Sequence, residues 1–181
     1  QCFHLFFRYN QNFKIKKGNF YRRFGYTSFI KERMVFFMIE QDTIRLLREC
    51  DAGVKMGVSS IDEVLGYVQA DAFKKYLSDC KQEHEKLGTE MQELLGRYKD
   101  EGKEPNPIAK GMSWIKTNMK LVMNESDNTI ADLMTDGCNM GVKSLNRYLN
   151  EYKAADEVSK DITKRLINLE EKLAIDIRPF L

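Results

Sequence analysis

From residue 44 onward the apolar positions recur in alternating steps of three and four. Ile44, Leu47, Asp51, Val54, Val58, Ile61, Leu65 and Val68 form one such series, broken only by the carboxylate of Asp51. Such steps return to one side of a 3.6-residue helix, so the series predicts a long amphipathic helix with a buried seam. A second series, Phe73, Leu77, Cys80, His84, Leu87, Met91, Leu94 and Tyr98, follows "QADA", with Asp71 placed to cap its helix. Gly102 and "EPNP" are expected to end it. Two long amphipathic helices joined by so short a link make an antiparallel hairpin.

The plan then repeats. A helix from about Ser126 carries Ile130, Met134, Cys138, Val142, Leu145, Leu149 and Tyr152. Asp156 can cap a last helix with Val158, Ile162, Leu166, Leu169, Leu173 and Ile177 inward. Residues 103–125 are too long for a bare loop in a compact domain. Asn106-Pro107 is a good helix entry, and Ile108, Met112, Ile115, Met119 and Val122 space a short amphipathic crossover helix, with Trp114 beside its stripe. "CDAGVK" at 50–55 returns as "CNMGVK" at 138–143, "YVQAD" at 67–71 as "YKAAD" at 152–156, and "EKL" at both 85–87 and 171–173. A duplicated hairpin predicts a pseudo-symmetric up-down four-helix bundle, with Gly53 and Gly141 at two close helix approaches.

Two hairpins, one long crossover and this internal symmetry resemble the ferritin-like superfamily. The stretch "IAKGMSWIKTNMKLVMNESDNTIADLMTDGCNMGVKSLNRYLNEYKAAD" resembles, more narrowly, a group of small bacterial ferritin-like proteins lacking the di-iron ligands. The resemblance covers residues 39–178 and implies an all-α ferritin-like bundle with a crossover helix. Ferritin-like di-metal centres take a Glu from each of two helices and Glu-x-x-His from each of the other two. Here the body of the chain holds one histidine, His84, and Lys81 stands three residues before it. A standard di-iron centre is therefore not expected.

Polar residues remain in the seams near mid-bundle: Asp51, His84, Cys138 and its neighbour Asn139. Carboxylate, imidazole and thiolate are all transition-metal donors, so Asp51, His84 and Cys138 (or Cys50) could form a reduced site for a single transition-metal ion. The competing expectation is structural: a satisfied core histidine, apolar-behaving cysteines, and Asp51 bonded to His84 or Asn139. With no phosphate loop and no base beside any serine, a non-catalytic bundle without a cofactor is the favoured reading. It would act as a homodimer or with a protein partner, through Trp114, Met112 and Met119 on the crossover.

Composition changes the picture at one end. Residues 1–37 hold eight Lys/Arg against Glu32 alone, a charge of +7, and nine of the eleven Phe; residues 38–181 carry −5. The overall +2 is therefore no nucleic-acid footprint, and no nucleic-acid partner is expected. The segment can be read as a basic aromatic arm, as a targeting peptide (Ser28 being its only serine), or as a non-native extension, with the domain starting at Met34 or Met38 and spanning 38–181. The last reading fits its composition best. No stretch has the apolar length of a membrane span, and four Cys without CxxC pairing predict reduced thiols in the cytoplasm.

Overall fold

The computed structural model describes the backbone of residues 20–104 and 126–181, with side chains from residue 30. These residues form α1 (Phe20–Leu65), α2 (Asp71–Arg97), α3 (Asp127–Glu151), α4 (Glu157–Asp176) and a closing 3-10 turn, Arg178–Phe180, with no strand among them. The chain divides into two compact units between Phe36 and Phe37, and the four-helix packing belongs to the second, Phe37–Leu181. Helix α1 itself runs unbroken through Met34 and Met38. The expected crossover helix, with Met112, Trp114 and Met119, lies outside the described residues.

Side-chain clasps at the two ends of the bundle define the helix directions. At one end Asp42 accepts from the Ala154 amide (3.0 Å) and Thr43 from the Asp156 amide (2.9 Å), so α1 enters the packed bundle beside the α3–α4 turn. At the other end the Asp127 carboxylate accepts from the Gln69 and Ala70 amides (2.7 and 2.8 Å), so α3 begins beside the α1–α2 turn. The order is up, down, down, up. Helices α2 and α3 therefore run parallel.

The seams hold in most positions. Every seam residue of α2 from Phe73 to Leu94 is buried, as are Leu47, Val54, Ile61, Ile130, Met134, Leu145, Ile162, Leu166 and Leu173. Val158 does not follow the pattern and is exposed; Ser159 and Thr163 take the buried side of that turn. Asp156 caps α4 as expected, accepting from the Ser159 amide at 2.8 Å, and Ser126 caps α3. Asp71 is not a cap. The N-cap of α2 is Ala70, and Asp127 of the other hairpin bonds the amides there instead.

The end of α2 also differs from expectation. The helix stops at Arg97, before Gly102, because Lys99 adopts a left-handed conformation (φ 57°). The Lys99 amide then bonds the Gly96 carbonyl and the Asp100 amide bonds Leu95, the paired bonds of a Schellman motif. The repeated glycines are not close approaches either. A Cβ on Gly53 would meet nothing within 4 Å, and one on Gly141 only ordinary contact with Glu170. The tight approach between α1 and α2 falls at Gly57, against His84, and at Gly88, where an added Cβ would stand 3.1 Å from the Val54 methyl.

Candidate functional site

The buried core is two apolar clusters. One gathers Val54, Leu87, Leu145 and Leu166 from the four helices; the other gathers Ile61, Cys80, Cys138 and Leu173. Between them on α2 lies His84, 1% exposed, and on α4 Glu170, whose side chain is 14% exposed. The His84 ring fits because Gly57 faces it: a Cβ there would stand 3.0 Å from Nε2 and 3.1 Å from Cδ2. On the other side Glu170 lies over Gly141. A polar layer thus separates two greasy halves at mid-bundle.

His84 is held at both ring nitrogens. Nδ1 lies 2.9 Å from the Cys80 carbonyl oxygen, one turn earlier, and 3.4 Å from the Cys80 sulfur; Nε2 lies 3.0 Å from Glu170 Oε1. Burial alone would lower the imidazole pKa, but the contacts with Cys80 and Glu170 outweigh it and raise the value to about 10. At neutral pH the ring is an imidazolium that donates Nδ1–H to a carbonyl and Nε2–H to a carboxylate. It has no lone pair to offer a thiol or a metal ion.

The thiols are held protonated. Cys50, fully buried, lies 3.3 Å from Thr163 Oγ1, and Thr163 gives its own hydroxyl proton to the Ser159 carbonyl (2.7 Å), so Cys50 is the donor. Burial pushes the Cys50 thiol up to about 12. Burial, then the adjacent Glu170 carboxylate, pushes Cys138 above its ordinary range as well. Thiolate is the nucleophilic and metal-binding form, so both groups are turned away from that chemistry.

Asp51 is elsewhere. It is 2% exposed, and its partners are Gln92 Nε2 (2.6 Å), the Lys103 amide (3.1 Å) and Lys55 Nζ (3.2 Å). The antiparallel register pairs it with Gln92, eight residues beyond His84 on α2, about 12 Å further along the helix. Neither His84 nor Asn139 is its partner, and Asn139 is exposed. The sequence-predicted trio of Asp51, His84 and Cys138 is therefore not assembled. His84 and Cys138 meet instead at Glu170, and among the described residues no group of three His, Cys, Asp or Glu is placed to hold a metal ion.

Glu170 is the residue that sequence reasoning missed. It follows seam position Leu169, and the stripe alone assigns it to the helix border. Its only signal is spacing, four residues after Leu166 and seven before Ile177. What Asp51 does is mechanical. With Arg48–Asp100 (2.7 Å), Lys103–Glu49 (2.7 Å) and Lys55–Glu104 (2.7 Å), it lashes residues 100–104 to α1. Gly102, at φ 83°, makes the turn possible, since a Cβ there would collide with the Asp51 carboxylate. No helix among the described residues is long and apolar enough to cross a membrane. No family model, no curated protein and no solved structure matches this chain.

Proposed function

We propose that this chain is a non-catalytic ferritin-like bundle that works by self-association. The ferritin-like reading is supported by the up-down-down-up order of the four helices. The described residues at mid-bundle do not fit that superfamily's di-metal centre, since the imidazole of His84 and the carboxylate of Glu170 are bonded to each other. The observation that carries the non-catalytic reading is that His84 has both nitrogens engaged as donors. With the two raised thiols, this turns His84, Cys50 and Cys138 away from acting as base, nucleophile or ligand. Three free buried thiols, Cys50, Cys80 and Cys138, suit a reducing compartment.

Association is supported by the exposed apolar run on α1. Met34, Val35, Phe36, Phe37 and Met38 are consecutive, and each is roughly half exposed or more, up to 71% at Phe36. A helix apolar on all sides is ordinarily covered. Sedimentation velocity across a concentration series tests this: a dimer is expected in the wild type and a monomer in Phe36→Glu/Phe37→Glu. A wild-type monomer at every concentration rejects self-association. A dimer that survives that change but not Trp114→Glu moves the contact to the crossover.

A further inference from the structure

An open groove of about 980 Å³ runs between α1 and α2. Val54, Val58 and Gly88 contribute its apolar part. Asp62, Glu85 and Glu101 stand among five lining carboxylates, against the single lining lysine Lys55. Lys81 reaches Asp62 and Glu85 from outside the lining, and the carboxylates still outnumber these two cations. We propose that the groove receives the exposed stretch of α1, Lys31 to Met38, from a second copy of this chain. The inference rests on the self-association reading and names the surface that the exposed run meets.

Charge decides against the simpler pairing of run with run. Residues 1–37 carry +7, and Lys31 and Arg33 stand directly before the apolar residues Met34 to Met38. Two such segments packed on each other would bring like charges together, which costs affinity at an interface. Residues 38–181 carry −5, and in the groove carboxylates border an apolar floor. A floor of that kind with acidic walls suits a helix that is apolar and basic within the same few turns.

Helix geometry decides which copy supplies the run. Helix α1 is unbroken, and Phe37 and Val58 lie twenty-one residues apart on it, about 31 Å along its axis. Phe37 therefore cannot reach the groove of its own chain. Two copies can exchange, each run in the other's groove, and such a self-complementary arrangement closes as a dimer.

Sedimentation velocity of the full chain tests this with charge reversals at exposed positions, Lys31→Glu/Arg33→Glu on the run and Glu85→Lys/Glu101→Lys on the groove. Exposed sites of this kind leave the fold intact. Each variant alone is expected to dimerise about tenfold or more weakly than wild type at low salt. Mixed one to one, the two variants should recover the dimer, because each run then faces a groove of opposite charge. A wild type that is monomeric at every concentration removes the self-association reading and this inference with it. A wild-type dimer that Glu85→Lys/Glu101→Lys leaves intact overturns this inference alone. So does a mixture no more dimeric than its two components.

Discussion

Asp51 and Glu170 are carboxylates sunk into the same bundle, yet their surroundings give them opposite work. Asp51 is met by an amide side chain, a backbone N–H and a half-exposed lysine, and it organises a loop. Glu170 is met by a buried imidazolium and a thiol, and it joins helices that the chain separates by 86 positions. The first arrangement tolerates a neutral acceptor of the same shape. The second does not, because removing either partner strands a charge between two apolar clusters. A buried carboxylate is therefore read by its partners, and its burial alone says little.

The largest expected effect separates the two directly. Glu170→Leu leaves His84 without its counter-charge and should cost about 3–5 kcal/mol in urea unfolding, whereas His84→Leu/Glu170→Leu should recover most of that loss. Asp51→Asn keeps an acceptor in place and should cost less than Glu170→Leu. Equal losses from Asp51→Asn and Glu170→Leu would erase the distinction.

Alkaline pH probes the same layer without mutation. The His84 imidazole loses its proton near 6.5 when unfolded and near 10 when folded. Its stabilisation is therefore complete below about 6.5 and is lost as pH rises towards 10. Between those values the folded state binds the extra proton, and stability should fall with a slope approaching about 1.4 kcal/mol per pH unit. Cys50 and Cys138, whose thiols are raised in the folded state, add slope of the same sign above about 9. Urea midpoints from pH 6.5 to 10 should show the decline in wild type and in Asp51→Asn. The part below pH 8.5 should vanish in His84→Leu/Glu170→Leu.

The four helices were legible because a 3-4 apolar rhythm is a direct consequence of helix geometry, and α2 follows it from Phe73 to Leu94. His84 and Cys138 were legible as buried polar groups for the same reason. Their partners were not. Whether His84 meets Asp51 or Glu170 depends on helix-to-helix register, and the register is set by contacts such as Gly57 against the imidazole ring, which no single-helix pattern contains. The same limit misassigned Asp71: a cap can be supplied from another hairpin, and Asp127 supplies it. "CDAGVK" and "CNMGVK" both lie within helices, in α1 and α3, but likeness of residues did not mean likeness of surroundings.

The loop side of the comparison can be sharpened with Gly102. Gly102→Ala must hold a side chain at φ 83° against the Asp51 carboxylate and should cost about 1–3 kcal/mol. In an Asp51→Ala background the collision is gone, leaving only the left-handed backbone, so the two changes should be less than additive. Denaturation of both single variants and the double measures the coupling. Strict additivity would mean that the turn and the carboxylate do not constrain one another.

The smallest expected effect is also the one that best isolates the polar layer. Gly53 and Gly57 lie one turn apart inside α1, and alanine should favour a helix over glycine by about 1 kcal/mol at either. At Gly53 nothing lies within 4 Å of the new methyl, so Gly53→Ala should raise stability by most of that amount. At Gly57 the methyl meets the His84 ring at 3.0–3.1 Å, and the ring cannot retreat without stretching its bonds to the Cys80 carbonyl and Glu170. Gly57→Ala should therefore lower stability by about 1 kcal/mol or more despite the better helix former. In His84→Ala the neighbour that opposes it is absent, and Gly57→Ala should turn stabilising. Thermal melts of these four variants test whether the imidazole is what reverses the sign, and a destabilising Gly57→Ala in the His84→Ala background would show that it is not.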